Sequence, residues 1–182
     1  MGHVSLTLST SVVVGHRTVV FGKHDDHATG GRSERMPGVP PCRKLRKEND
    51  MFVRRQQVRF QHCDPASMVF YPRYLEMVHA TVEDWFGEVV GMSFSDMHDA
   101  LKLSVPVLSL AMEFTAPSRL GDELDLTVSV EHLGTTSLQL LINARCNCSA
   151  RFMARLKLVQ ISMDDYRPRP WSADIRSALD KR

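Results

Sequence analysis

His62-Cys63-Asp64-Pro65-Ala66-Ser67-Met68-Val69-Phe70-Tyr71-Pro72-Arg73-Tyr74 places one carboxylate, Asp64, in a short loop between a strand-like run and a helix-like run. The helix opens at Tyr71-Pro72. Proline suits a first helical turn because its missing N–H has no partner to lose there. A carboxylate beside a helix N-terminus is a plausible reactive arrangement: the acid can attack or activate water, and free backbone N–H groups can hold a developing oxyanion.

On either side of this stretch the hydrophobic period decides the elements. Upstream, residues 52–61 (FVRRQQVRFQ) predict a strand with Val58 and Phe60 on one face. Downstream, Tyr74, Val78, Thr81, Val82, Trp85 and Val89 recur at helical spacing, Met77 and Phe86 widen the stripe, and Gly91 supplies a stop, so residues 72–90 predict a long, wrapped helix. Four alternating runs follow: 105–115 (Leu108, Leu110, Met112, Phe114), 123–133 (Leu124, Leu126, Val128, Val130), 137–148 (Leu138, Leu140, Ile142, Ala144) and 151–163 (Phe152, Ala154, Leu156, Leu158). Their links are short, which implies antiparallel neighbours. Asp96, His98 and Asp99 read as a solvated connection, and Ser172 as the cap of a short last helix through Leu179. The fold class is α+β: a five-stranded antiparallel sheet wrapped around one long central helix.

Length and composition fit this picture. The chain has 182 residues, 43% hydrophobic and 24% charged, enough for one domain with a sizeable core. A net charge of +2 gives no argument for nucleic acid, and no apolar run approaches the ~20 residues of a membrane helix. Cys42, Cys63, Cys146 and Cys148 lack zinc spacing and do not resemble a disulfide framework. Cys146 and Cys148 sit two apart on an expected strand, on one face, so the cysteines read as belonging to a reducing, cytoplasmic setting.

Residues 1–50 differ in character. Residues 23–50 mix charge, Gly and Pro and cannot bury enough apolar surface to offset the entropy of ordering. Val12–Val14 and Thr18–Phe21 are β-prone and can form a hairpin. The absence of Asp and Glu from the first 24 residues faintly resembles a transit peptide, without its Arg-rich amphipathic helix. Residues 1–50 are therefore expected to be a disordered extension or a start-site artefact with Met51 as the natural start, and 51–182 the domain.

The order of elements, Val58-Arg59-Phe60, Asp64-Pro65-Ala66 with Val69-Phe70-Tyr71-Pro72-Arg73-Tyr74, Glu83-Asp84-Trp85-Phe86, Pro117-Ser118-Arg119-Leu120-Gly121-Asp122, and Gly134 with Ser137 resemble the 4-hydroxybenzoyl-CoA thioesterase family and its acyl-CoA thioesterase relatives of the hotdog fold. The resemblance covers roughly residues 52–181. It implies that Asp64 is nucleophile or general base, that the Tyr71 backbone N–H serves the oxyanion, and that the site forms between protomers of a homodimer or homotetramer. It implies no cofactor, the CoA thioester being the substrate. Two positions depart from the family's pattern: His62 stands where many relatives carry an acid, and Ser67 where many carry Gly. Ser67, with His62, is a candidate for shaping the loop and contacting substrate.

Other chemistries are weaker. His62 and Cys63 are sequence neighbours in an extended segment and point apart, which disfavours a Cys-His nucleophile. Glu76, His79 and Glu83 share a helix side, but a metal site of that kind needs a second long helix, so no metal is expected. The resemblance instead makes His79, two turns after Tyr71, a candidate for the acyl end of the pocket. Arg119, Arg145, Arg151, Arg155, Arg167 and Arg169 are candidates for the CoA phosphates. The leading expectation is an acyl-CoA thioesterase, with an aromatic acyl group as one option. The alternatives are a thioesterase for acyl groups on acyl carrier protein, or a thioester-binding module without turnover.

Overall fold

The computed structural model describes residues 12–14 and 52–180. In chain order the elements are β1 (Val12–Val14), β2 (Val53–Gln57), a 3-10 turn (Phe60–His62), α1 (Tyr71–Trp85) continued by a π turn (Phe86–Val90), α2 (Phe94–Asp99), β3 (Leu103–Ser104), β4 (Val107–Phe114), β5 (Glu123–Leu133), β6 (Ser137–Cys146), β7 (Ser149–Val159), β8 (Ile161–Ser162) and α3 (Ala173–Asp180). The main sheet runs β1-β4-β7-β6-β5-β2, and β3 pairs with β8 separately. Its five predicted strands are antiparallel throughout. Val12–Val14 adds a parallel strand at the β4 edge, while Thr18–Phe21 and the rest of the N-terminal extension lie outside the described residues.

The alternating residues do what their period implies. Leu124 and Leu126 of β5, Leu138, Leu140 and Ile142 of β6, and Ala154, Leu156 and Leu158 of β7 form one buried face. Against it lies the predicted stripe of α1, from Tyr74, Met77 and Val78 through Val82 and Trp85 to Phe86. Register shifts at Val107/Ser109, Val130/His132 and Ala144/Arg145 interrupt the ladders. Such shifts bend and twist strands, and here they let one sheet curl around one helix. Past Trp85 the winding loosens to a π turn, and Gly91, at φ 75°, takes the left-handed position that ends it. The opposite face of α1, with Glu76, His79 and Glu83, stays exposed. Ser172 Oγ accepts from the Ile175 N–H at 3.3 Å, as expected of a cap, and α3 buries Ile175 and Leu179.

Four local expectations change. The first strand ends at Gln57: Val58 is 1% exposed, but Phe60 enters the 3-10 turn and is 82% exposed. The cause is backbone pairing outside the sheet, because Val58 N–H donates to Asp122 O and its carbonyl accepts from Gly121 N–H. The helix starts at Tyr71, one residue before Pro72. Asp96 and Asp99 are exposed, as a solvated segment implies, but with His98 they belong to a short helix and not a bare connection: Ser93 Oγ accepts from Asp96 N–H at 3.1 Å and Met97 is fully buried. Finally, β6 stops at Cys146, so Cys148 lies in the turn outside the strand's alternation. Cys148 is disulfide-bonded, and the cysteine argument for a reducing setting does not extend to it. Cys63 and Cys146 are free thiols.

Candidate active site

Asp64 opens a small hairpin built by the backbone. Ser67 N–H donates to Asp64 O at 3.0 Å, and Asp64 N–H to Met68 O at 2.9 Å. Cys63 and Val69 form an antiparallel bridge one step further down. Pro65 sits where such a turn wants a fixed negative φ, and Ser67 occupies the left-handed position at φ 59°. The departure from Gly at residue 67 thus falls at a position that needs positive φ, where a Cβ is strained. One carboxylate oxygen of Asp64, Oδ1, accepts from Ala66 N–H at 2.8 Å. Oδ2 has no hydrogen-bond partner among the described residues, and the side chain is half-buried. Asp64 therefore braces its own turn with one oxygen and presents the other.

The hairpin is fixed to the rest of the fold by the Pro117–Asp122 turn. Val69 N–H donates to Ser118 O at 2.9 Å, Met68 bridges Arg119, and Tyr74 Oη of α1 accepts from Ser118 N–H at 3.0 Å. Tyr74 is 4% exposed and Ser118 fully buried. The Tyr74 ring is held in turn by Phe114 and Phe152, with centroids 5.2 and 5.1 Å away. The turn itself is braced by Asp122, whose carboxylate accepts from Arg119 N–H at 3.1 Å and pairs with Arg151 at 3.3 Å.

The helix end faces the same loop. Phe70 N–H donates to His62 O at 2.9 Å, so Tyr71, the first helical residue, follows directly on a residue tied to the hairpin. A first helical N–H has no intrahelical acceptor. That of Tyr71 has no acceptor among the described residues, Pro72 has no N–H, and Arg73 N–H is already used by Phe70 O. The Phe70 and Tyr71 rings, 5.3 Å apart, are both about half exposed at the rim. His62 Nδ1 accepts from Arg59 N–H at 2.9 Å. Burial, reinforced by the Arg73 and Arg59 charges and opposed by Glu76, lowers its pKa below the ordinary histidine value.

Asp64, Ser67, His62 and Tyr71 are thus brought together. His79 is not: it lies eight residues beyond Tyr71, about 12 Å along the helix, exposed and 6.1 Å from the Phe94 ring of α2. Among the arginines, Arg151 pairs with Asp122, Arg155 with Glu131 and Arg169 with Asp165. Arg119, Arg145 and Arg167 are exposed and make no ion pair among the described residues. Sequence reasoning missed the Tyr74–Ser118 bond and the ion pair of Arg54 with Asp84 that ties β2 to α1. Both partners of each lay in quoted or patterned stretches, but nothing local reveals a pairing 44 or 30 residues apart.

A curled antiparallel sheet wrapped around one long helix is the hotdog fold, and here a carboxylate hairpin lies at the helix's open N-terminus. The chain belongs to the thioesterase-like superfamily, whose model matches residues 58–179. It is similar to the 1,4-dihydroxy-2-naphthoyl-CoA thioesterase from Synechocystis at 18% identity and a TM-score of 0.66, covering 72% of this chain and 96% of that one. A gentisyl-coenzyme A thioesterase matches at 23% identity and a TM-score of 0.65, with 70% and 99% covered. A Staphylococcus aureus protein solved in complex with CoA matches at 14% identity and a TM-score of 0.68, with 72% and 83% covered. No helix among the described residues is long and apolar enough to cross a membrane.

Proposed function

We propose that this chain is an acyl-CoA thioesterase in which Asp64 drives hydrolysis and the Tyr71 backbone N–H stabilises the oxyanion. The observation that carries the reading is the Tyr71 N–H at the start of α1, without an acceptor among the described residues, beside a hairpin whose acid has one oxygen unbonded among them. A thioester carbonyl is electrophilic because sulfur donates into it poorly. In one route Asp64 Oδ2 adds to that carbon, the carbonyl oxygen takes the negative charge against Tyr71 N–H, and collapse expels the CoA thiolate; water then cleaves the mixed anhydride. In the other, Asp64 removes a proton from an attacking water. Either way one backbone donor at the oxyanion contributes about 3 to 4 kcal/mol to lowering the barrier. Ser67 and His62 then act on the loop's shape.

CoA as the carrier is supported by the CoA complex and the two CoA thioesterases among the similar structures. Three of the six candidate arginines already hold carboxylates, which leaves Arg119, Arg145 and Arg167 for the CoA phosphates or for an acidic carrier protein. A homodimer or homotetramer fits the exposed side of α1 and the half-exposed Phe70 and Tyr71, which a second copy would cover. His79 can then meet the acyl group only if that group extends about 12 Å from the carbonyl or if a second copy's helix presents it. The test is free-thiol release from short-chain, long-chain and aryl acyl-CoAs and from an acylated carrier protein. CoA thioesters are expected to turn over with the aryl group preferred; turnover of the carrier-protein thioester alone, or of none, would overturn the reading.

A further inference from the structure

His62 stands at the junction of the two parts of the site. Its backbone carbonyl accepts from Phe70 N–H at 2.9 Å, one residue before Tyr71, and it lies two residues before Asp64. Its ring turns back: Nδ1 accepts from Arg59 N–H at 2.9 Å, closing the 3-10 turn that leads into the hairpin, while Nε2 lies 3.4 Å from the Gln61 amide. We propose that neutral His62 is the positioning residue of this site, its Nδ1 fixing the entry to the Asp64 hairpin while its carbonyl fixes the start of α1. The inference rests on the thioesterase reading and adds to it a residue, a protonation state and a tautomer.

The chemistry is one-sided. A backbone N–H can only donate, so Nδ1 must carry a lone pair and the ring proton must sit on Nε2; the neighbouring Gln61 amide, whose nitrogen is also a donor, is then no partner for Nε2 unless it turns its oxygen toward the ring. An imidazolium has no acceptor at Nδ1, so protonation breaks the bond to Arg59. The charged groups facing the ring are Arg59 from its own turn and Arg73 and Glu76 from α1. Arg73 and Glu76 are themselves paired at 2.8 Å. With burial and two arginines outweighing one glutamate, the neutral ring is favoured and its pKa is lowered. The held geometry is therefore complete above the ordinary histidine range and is lost as pH falls through the lower folded value.

The test compares wild type, His62→Ala and His62→Asn. An asparagine Oδ1 can accept from Arg59 N–H as Nδ1 does, but it does not titrate. His62→Ala is expected to lower kcat about fivefold to tenfold, the worth of one hydrogen bond, with KM little changed. His62→Asn recovers most of that loss and removes the acid limb assigned to the imidazole. A raised KM with unchanged kcat would mean that His62 contacts substrate, and the proposal fails. Amide NMR supplies a readout independent of turnover: the Arg59 and Phe70 N–H signals of wild type are expected to titrate together at a pH below the ordinary histidine range, and those of His62→Asn to stay still. If they do not titrate in wild type, His62 does not hold the loop, whatever the activity. If they do titrate but no thioester is hydrolysed, the positioning bond stands and the assigned reaction fails.

Discussion

Tyr74→Phe removes one oxygen and isolates what it does. The ring stays packed between Phe114 and Phe152, so apolar burial hardly changes. What is lost is the acceptor for Ser118 N–H, a bond of 3.0 Å between a residue 4% exposed and one that is fully buried. A buried donor left without a partner costs about 1–3 kcal/mol. Taking about 2 kcal/mol, and roughly 4 °C per kcal/mol for a domain of this size, Tm should fall by roughly 8 °C. Ser118 also holds Val69 through its carbonyl, so the Asp64 hairpin loosens with it and kcat falls more than KM rises. Thermal and urea unfolding of both proteins, followed by circular dichroism, measure the first effect. A change below about 0.5 kcal/mol, which is the range of ordinary surface substitutions, would refute the claim that Tyr74 anchors the turn.

Further expectations concern the loop and its supports. Ser67→Gly relieves a strained φ while adding freedom to the unfolded chain, so stability changes by no more than about 0.5 kcal/mol. Ser67→Pro, whose ring forbids positive φ and removes the N–H to Asp64 O, costs about 3 kcal/mol or more; equal melting temperatures for the two variants would contradict the left-handed assignment. A double-mutant cycle on Arg54 and Asp84 returns at most about 1 kcal/mol, since both side chains are partly exposed; chemical denaturation of the four proteins checks it. Gln160→Leu removes the amide that donates to the carbonyls of Pro170 and Arg169, where water can replace it, together with a buried Oε1 that has no partner among the described residues, so stability should change by no more than about 1 kcal/mol in the same assay.

The strands of the sheet were legible because each buries one face, and burial writes a period of two into residues such as Leu138, Leu140 and Ile142. The helix was legible for the same reason at its own period. Where backbone pairing, not burial, sets the course, the pattern misled: Phe60 continues the alternation of Val58 but turns out to solvent, because Gly121 and Asp122 draw Val58 out of the sheet. Val12–Val14 showed its β character but not its parallel partner, which lies about a hundred residues away on β4. In the site, the motif drew attention to Asp64 and to the Gly-to-Ser departure at residue 67, and the structure gives Ser67 a φ of 59°. The bonds that place them, Tyr74 to Ser118 and His62 to Arg59, are side chain to backbone, and no residue type announces which backbone group it will meet.

The most direct measurement is turnover by Asp64→Asn. Asparagine keeps an oxygen for Ala66 N–H, so the turn that Asp64 Oδ1 braces at 2.8 Å survives, whereas alanine removes the brace with the acid. Asparagine cannot act as nucleophile or base. With folding verified by an unchanged melting curve, free-thiol release from the preferred acyl-CoA is expected to fall by about 100-fold to 10,000-fold. Turnover near the wild-type rate in that folded variant would contradict the assignment of the reaction to Asp64.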